Sequence, residues 1–283
     1  MSVFLVALSL LSADAAEPIE ISGAVVKLVD DVAVPATEAG LLAKILVKEG
    51  EIVAAGAMLA QILDADVRLA VERAKYELDI AQRQQTNDVD IRYARKSTEV
   101  AKAELARSLE TNAKYPKTVS NTELDRQKLL VEKSELEIKQ AEHDQEIASL
   151  TSDIKGNELR TAEEQLARRT ITAPLKGMVV EVHRRPGEWV QPGETVARVV
   201  RLDRLRAEGF LAVKHARLDL VGSKVKLVIP DAEGKDREFA GVIVFVSPEI
   251  DPLNSQVRVW AEIDNSDLKL RPGVQANLLV QPR

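Results

Sequence analysis

The chain has 283 residues and no cysteine, and only 3% of its residues are aromatic. The lack of cysteine excludes a disulfide framework, a thiolate zinc site, a cysteine nucleophile and lipid attachment through cysteine. Basic side chains number 39 against 45 acidic ones, and the net charge of −6 argues against nucleic acid as the main partner. With 45% hydrophobic residues the chain can still bury cores for about two or three modules.

Long hydrophobic runs are also scarce. Residues Val3 to Leu11 form a short apolar stretch, followed by Ala13 and Ala15 at the small-x-small spacing of signal-peptide cleavage sites. About 20 apolar residues are needed to cross a bilayer, so this stretch is too short for a transmembrane helix. No basic residue precedes it, which leaves an apolar first strand as the alternative. We expect residues 1–15 to be a cleaved signal peptide and the mature chain to be exported.

An internal repeat organises much of the remaining sequence. Residues 36–63 superimpose on residues 173–200 with an offset of 137, so that three glycines of the first segment fall on three of the second. These turn glycines are Gly40, Gly50, Gly56, Gly177, Gly187 and Gly193. They separate short β-type runs, where a turn with positive φ or a close backbone approach is required. Each segment is therefore predicted to form half of a small lipoyl-like β-sandwich, and neither half could bury its apolar face alone.

Between the two halves, residues 64–170 hold 41 of the 84 charged side chains and only one proline, Pro116, and one glycine, Gly156. Acid-to-base pairs four residues apart recur along the segment, in the order that stabilises a helix surface. These pairs are Asp64/Arg68, Asp79/Arg83, Asp88/Arg92, Glu110/Lys114, Glu135/Lys139 and Glu164/Arg168. The composition is typical of long, solvated helices.

Apolar residues in this segment alternate at spacings of three and four, which is the pattern of a coiled-coil seam. The seam positions are Val67, Val71, Ala74, Leu78 and Ala81 in one arm and Leu124, Val131, Ile138, Ala141, Ala148, Leu159, Ala162 and Leu166 in the other. The breaker cluster from Tyr115 to Asn121 lies near the middle, and Ser120 with Glu123 predicts a capping box. We expect an antiparallel helical hairpin. Residues 82–90 are polar, which indicates either a local break or a face wetted by neighbouring copies.

The C-terminal residues 201–283 are rich in β-branched runs separated by turn signals. One run, Val225 to Ile229, precedes a turn at Asp231 to Asp236, and another, Phe239 to Val246, precedes Ser247-Pro248. A further turn containing Gly273 precedes a short last strand. This pattern predicts a small antiparallel β-barrel, with residues 16–35 contributing N-terminal strands to it. The fold class is thus α+β and multi-modular.

Several kinds of chemical site are not expected. A biotinyl or lipoyl arm would need a lysine at the hairpin joining the two β-halves, where this chain has its helical insertion. The nearby lysines, all inside the halves, are Lys44, Lys48 and Lys176. The histidines share no ligand spacing; they are His143, His183 and His215. The carboxylates occupy helix faces beside basic partners. We therefore predict no catalytic, metal or cofactor residue and no enzyme activity, and we expect Trp189 and Trp260 to be partly buried on β faces.

Two stretches carry a resemblance to a known family. Residues Thr170 to Val179, with Pro186-Gly187-Glu188 and Val190 to Gly193, resemble the second lipoyl half of the HlyD-type membrane fusion proteins, or periplasmic adaptors. Further residues are similar to the barrel of that family, namely Gly241-Val242-Ile243, Ser247-Pro248, Asp251, Asn265 and Leu270 to Gly273. The split lipoyl domain, hairpin and barrel cover nearly the whole mature chain in the order of the family.

The resemblance implies a periplasmic subunit, associated with the inner membrane, that links an inner-membrane transporter to an outer-membrane channel in a tripartite efflux or secretion system. It implies a transporter of the resistance-nodulation-division or ABC class and a homo-oligomeric ring. It also implies a duct-contacting hairpin tip, formed here by Tyr115, Pro116, Val119, Ser120, Leu124 and Asp125. The family's tip arginine and leucine do not transfer, since their spacing falls on Leu109 and Ala113 with Arg107 displaced. The alternatives are a coiled-coil scaffold of the cell envelope without a pump and an enzyme-linked carrier.

Overall fold

The computed structural model describes residues 19–229 and 236–281. The expected signal peptide, residues 1–15, and residues 231–235 of the expected turn lie outside the described residues. The chain divides into two compact units, one formed by residues 1–62 with 171–283 and the other by Leu63–Thr170. The first unit contains the strands of a sandwich and a barrel, except for Thr170 at the start of one strand. The second unit contains the three α-helices.

The sandwich consists of two four-stranded sheets, and each sheet contains strands from both halves of the repeat. Its strands are β2 (Asp31–Pro35), β3 (Gly40–Ile45), β4 (Ile52–Val53), β5 (Met58–Ile62), β6 (Thr170–Thr172), β7 (Gly177–Val182), β8 (Trp189–Val190) and β9 (Thr195–Val200). One sheet has the order β2-β9-β7-β4 and the other the order β6-β5-β3-β8. Each sheet takes strands from both halves, so neither half closes without the other.

The offset of 137 residues is visible in the hydrogen bonds. The Gly50 N–H donates to Val179 O at 2.8 Å, and the equivalent Gly187 N–H donates to Leu42 O at 2.8 Å. Gly50 and Gly187 have φ of +87° and +91°, the left-handed region that favours glycine. The sequence repeat is therefore a structural repeat with approximate twofold symmetry.

The other frame glycines have several environments. Gly56, Gly193 and Gly273 also have positive φ. Gly177 does not, but a Cβ at this position would overlap the carbonyl group of Val200. Gly40 begins β3 and is paired with Val190 on β8.

The barrel is a closed six-stranded sheet of order β1-β10-β13-β12-β11-β14. Its strands are β1 (Ile19–Leu28), β10 (Arg204–Ala212), β11 (Lys224–Ile229), β12 (Arg237–Asp251), β13 (Gln256–Asp264) and β14 (Gln275–Gln281). Alternate residues point into an apolar core that includes Leu205, Leu227, Ile243, Ile263 and Leu278.

Two details of the barrel differ from the sequence-based expectation. The N-terminal segment divides, because Ile19–Leu28 joins the barrel whereas Asp31–Pro35 pairs with β9 of the sandwich. Strand β12 also does not end at Ser247-Pro248. It continues to Asp251, and shifts in its register with β13 accommodate this stretch.

In the turn after β13, the buried side chain of Asn265 makes three hydrogen bonds to main-chain atoms. Its side-chain amide donates to Leu202 O at 2.7 Å and Leu270 O at 3.0 Å, and its Oδ1 accepts from the Leu270 N–H at 2.8 Å. This side chain therefore joins the entry into β10 to the turn that leads to β14.

The helical unit contains α1 (Ala65–Gln85), α2 (Val89–Lys114) and α3 (Asn121–Arg168). Helices α1 and α2 both pack along α3, so the first arm of the expected hairpin is broken at Thr86–Asp88. The break is hydrogen bonded to α3: the Gln145 amide donates to Gln85 O at 3.3 Å, and the Gln85 amide donates to Ser149 Oγ at 3.0 Å. Of the two interpretations of residues 82–90, the structure contains the local break.

Helix α3 has a continuous heptad pattern of buried and half-buried positions, and every apolar seam position predicted for this arm belongs to it. Five polar residues complete the pattern: Gln127, Ser134, Gln145, Ser152 and Lys155. The apolar prediction missed them, although extending the spacings of three and four through polar residues would have found them. The seam is consequently much more polar than either β core.

Ion pairs are frequent on the surfaces of the helices. Asp64/Arg68, Asp79/Arg83, Asp88/Arg92 and Glu110/Lys114 form as predicted, with N–O distances of 2.9, 2.9, 3.1 and 2.7 Å. Glu135 instead bonds Lys102 of α2 at 2.6 Å, and Arg95 bonds Glu142 at 2.9 Å. These two pairs link α2 to α3.

Candidate contact site at the hairpin tip

The tip begins where α2 ends at Lys114 and Tyr115 turns into an extended conformation. The hydroxyl of Thr118 donates to Tyr115 O at 2.8 Å, and Lys117 between them has φ of +73°. Pro116 cannot continue the helix because it lacks an N–H and its ring would clash with the preceding turn. The four residues from Tyr115 to Thr118 are all exposed. They form the tight, solvent-facing apex of the hairpin.

A side chain from α2 holds this apex in shape. The Asn112 amide donates to Val119 O at 2.9 Å, and its Oδ1 accepts from the Val119 N–H at 2.8 Å. Both main-chain groups of Val119 are thus satisfied by one residue seven positions earlier. Asn112 was not among the residues expected at the tip; its signal in the sequence is an amide placed one turn before the breaker cluster. The clamp makes the loop a preorganised surface.

Ser120 caps α3, with its hydroxyl oxygen accepting from the Glu123 N–H at 3.2 Å. The return half of the expected capping box does not form in the described residues. The Glu123 carboxylate instead accepts from Arg126 at 2.9 and 3.0 Å and from Gln127 at 3.3 Å. These hydrogen bonds and the positive charge of Arg126 lower the pKa of Glu123 below its usual value.

The predicted tip residues differ in exposure. Tyr115 is 69% exposed, and Pro116, Ser120 and Asp125 are also exposed, Asp125 lying 3.2 Å from Lys128. Val119 and Leu124 are half-buried. Leu124 is the first seam position of α3. The exposed aromatic and proline are available to a partner, whereas the other apolar residues hold the tip together.

The positions that correspond to the family's tip arginine and leucine lie one turn apart on α2. Leu109 is 46% exposed, and Ala113 is exposed as well. The displaced Arg107 donates from Nε to Ala103 O at 3.2 Å, within its own helix. This face of α2 therefore presents aliphatic side chains where the family pattern has a cation.

A second exposed aromatic lies on the sandwich. Trp189 on β8 is 61% exposed, in contrast to the expectation that it would be partly buried, because its strand has only two residues and lies at the edge of its sheet. Trp260 on the barrel is half-buried. Within the two described ranges, no helix is long and apolar enough to span a bilayer. No group of three potential metal ligands occurs among those residues.

The split sandwich, inserted helical hairpin and closed barrel together define the fold of the membrane fusion proteins. Several solved structures of that fold are similar to this chain over most of its length. Spr0693, a membrane fusion protein of Streptococcus pneumoniae R6, is 18% identical with a TM-score of 0.56, covering 94% of this chain and 99% of its own. MacA of Actinobacillus actinomycetemcomitans is 21% identical with a TM-score of 0.58, covering 94% and 80%.

A MacA–MexA chimera that contains the α-hairpin domain of Pseudomonas aeruginosa MexA is 18% identical, with a TM-score of 0.54 and coverage of 94% and 82%. No family model matches the sequence, and no curated protein matches it. The structural likeness confirms the fold expected from the glycine frame, the seam and the barrel pattern.

Proposed function

We propose that this chain is a periplasmic adaptor subunit, of the HlyD-type membrane fusion protein family, that links an inner-membrane transporter to an outer-membrane channel in a tripartite efflux or secretion system. The observation that carries this proposal is the preorganised, exposed tip of a long hairpin inserted into the membrane fusion fold. Helix α3 has 48 residues, which corresponds to about 72 Å at 1.5 Å per residue. That length suits a strut between two partners better than a binding pocket.

The hairpin tip is assigned the contact with the outer-membrane channel. Tyr115 and Pro116 supply a rigid apolar surface, and aromatic anchors of this kind are frequent at interface hot spots. Asp125 and the exposed edge of Ser120 lie beside it, while Val119 and Leu124 support the loop from within. In this role the chain acts by bridging its two partners, and it catalyses no reaction.

The proposal also assigns a role to each of the other segments of the chain. Residues 36–63 and 171–200 act as the lipoyl-like halves, 64–170 as the hairpin and 201–283 with the N-terminal strand as the barrel. Residues 1–15 act as the signal peptide that directs export to the periplasm. The β modules pack with other copies in a ring and contact a transporter of the resistance-nodulation-division or ABC class.

The test is transport in the native host. Deletion of the gene should abolish export of the transported compound or protein, and expression of the chain should restore it. Chemical crosslinking in intact membranes, followed by mass spectrometry, should identify an inner-membrane transporter. Normal transport in the deletion strain, with no transporter crosslinked, would contradict the proposal and favour an envelope scaffold.

The tip is tested separately. Tyr115→Arg should abolish transport while leaving the helical circular dichroism unchanged, because the Tyr115 side chain is largely exposed. Tyr76→Arg is the matched control, since Tyr76 is 63% exposed on α1 and an arginine there would face Glu72. Ser120 and Leu124 are less suitable for this test, because one caps α3 and the other lies in the seam. Full transport with Tyr115→Arg would exclude the tip as the channel contact.

A further inference from the structure

The outer surface of the barrel carries a cluster of aromatic and basic side chains on three adjacent strands. Arg206 and Phe210 lie on β10, Phe245 on β12, and Arg258 and Trp260 on β13; we name these five residues the Trp260 patch. Strand pairing brings them together, because Phe210 is opposite Arg258 and Phe245 is opposite Trp260. The alternate residues Ala207, Val259 and Ala261 belong to the barrel core, so the patch faces outward.

The patch has a stacked geometry. The guanidinium carbons of Arg206 and Arg258 lie 4.4 and 5.2 Å from the Trp260 ring centroid. The Phe245 ring centroid is 4.5 Å from that of Trp260, with an angle of 33° between the ring planes. Cation–π and aromatic contacts at these distances hold side chains in fixed positions. The patch is therefore a rigid surface in a chain where aromatics make up only 3% of residues.

The charges of the patch are not balanced within the described residues. Glu208 forms an ion pair with Lys27 at 2.7 Å and lies 3.9 Å from Arg258. Glu262 lies 3.9 Å from Arg204. Arg206 has no carboxylate within 4.0 Å in the described part of the chain, and its Nε has no hydrogen-bond acceptor there. The indole N–H of Trp260 also has no acceptor among the residues that the structure describes. Buried donors without an acceptor destabilise the folded state, so this site is built at a cost to stability.

We propose that the Trp260 patch docks an acidic segment of a partner protein. A carboxylate would pair with the Arg206 guanidinium, and apolar side chains of the segment would cover Phe210, which is 50% exposed. Arginine and tryptophan are the residues most enriched at interface hot spots, and arginine binds carboxylates in a bidentate geometry. An anionic lipid surface fits less well, because such surfaces attract larger clusters of basic residues without a carboxylate among them.

Only the identity of the partner rests on the proposed function, which makes it the periplasmic side of the inner-membrane transporter. A photo-crosslinking amino acid in place of Phe210 should label an acid-rich segment of that transporter in the native host. The crosslinked peptide is identified by mass spectrometry. Crosslinks confined to lipid, or to a second copy of this chain, would overturn the proposal.

The charge is tested by Arg206→Glu, with Lys224→Glu as the matched control. Lys224 is an exposed basic residue on β11 with no carboxylate partner in the described residues. Arg206→Glu should reduce crosslinking from the Phe210 position by about tenfold or more, and Lys224→Glu should leave it unchanged. Equal effects of the two variants would refute the patch as the docking site.

Phe210→Asp provides a second variant whose folding is not in question, because half of that side chain is in solvent. It should impair transport as Arg206→Glu does. The two proposals fail in different ways. Normal transport after gene deletion refutes the adaptor function, whereas a deletion defect fully rescued by both patch variants refutes the docking surface alone.

Discussion

The β modules and the helical hairpin are stabilised in different ways. Among the residues that the structure describes, the barrel and sandwich cores contain 20 and 15 buried apolar residues, contributed by strands far apart in sequence. In the hairpin the buried apolar residues are only Val67, Val71, Ala81, Ile91, Ala94 and Ala101. Buried Thr98, Ser134 and Ser152 lie among them. Because three of the six apolar side chains are alanine, burial stabilises the hairpin far less than it stabilises the β modules.

The hairpin depends instead on local interactions. Its helices contain i,i+3 and i,i+4 ion pairs, and it is joined across the seam by bonds such as Lys155 to Glu77 at 2.9 Å and Arg95 to Glu142. The i,i+3 and i,i+4 pairs are individually weak but need no long-range closure. The two units can also be observed separately, because both tryptophans lie in the β modules and all three tyrosines lie in the hairpin.

The largest expected difference concerns core truncation. Leu227→Ala in the barrel removes a fully buried side chain and should lower the free energy of unfolding by about 2–5 kcal/mol. Leu159→Ala in the half-buried seam should cost less, about 1–2 kcal/mol. Urea unfolding followed by tryptophan fluorescence and by circular dichroism at 222 nm measures the two units. Equal losses from the two variants would mean that the hairpin is as tightly packed as the barrel.

The next largest effect is expected where Gly177 on β7 lies close to Val200 on β9 in the sandwich. Gly177→Ala should lower its stability by about 1–3 kcal/mol, because the added methyl group overlaps the main-chain carbonyl of Val200, which cannot rotate away. The tryptophan-monitored transition should shift to lower urea while the helical signal does not. A variant with unchanged stability would show that β7 and β9 can separate slightly at this point.

The comparison also explains what could be predicted from the sequence. The glycine frame, the helical insertion and its ion pairs follow local rules, so the repeat at 137 residues and the hairpin were predictable. Strand pairing is not local: that Asp31–Pro35 joins the sandwich while Ile19–Leu28 joins the barrel depends on partners more than 150 residues away. Strand β12 passes through Pro248 for a similar reason, because its register with β13 tolerates irregularity.

The candidate sites divide in the same way. The tip was located by its breaker residues, and the Ser120 cap followed from its spacing to Glu123. The Asn112 clamp was missed because a hydrogen bond to the next loop has no periodic signature. The Trp260 patch was also missed, since Phe210, Phe245 and Trp260 meet only after the barrel closes. Local chemistry thus indicates where the tip is, and tertiary structure determines how it is held.

A smaller effect of opposite sign is expected inside α3. Gly156→Ala should stabilise the hairpin by about 0.5–1 kcal/mol, because glycine is a poor helix residue and a Cβ at this position meets no atom within 4 Å. The gain should be seen in the helical signal at 222 nm and not in tryptophan fluorescence. A loss of stability would indicate that Gly156 allows a bend in α3 that the packing of α1 requires.

The smallest expected effect per residue is the response to acid. The pKa values of Glu77, Glu123 and Glu135 are lowered from the usual 4.5, chiefly by hydrogen bonds from Lys155, Arg126 and Lys102 respectively. A carboxyl whose pKa is lower in the folded state stabilises that state fully above pH 4.5 and loses this effect as the pH falls through the folded pKa.

Helical content should therefore decline gradually below pH 4.5 while tryptophan fluorescence stays nearly constant, because among the described residues of the β modules only Asp31 and Asp203 have lowered pKa values, and these lie beside two large apolar cores. The matched control is the double variant Glu77→Gln with Lys155→Met, which removes one pair that links α1 to α3. It should flatten the acid response of the hairpin and leave the fluorescence profile unchanged. If fluorescence and helicity instead fell together at the same pH, the two units would unfold as one cooperative structure, and the contrast between a core-stabilised and a locally stabilised unit would be wrong.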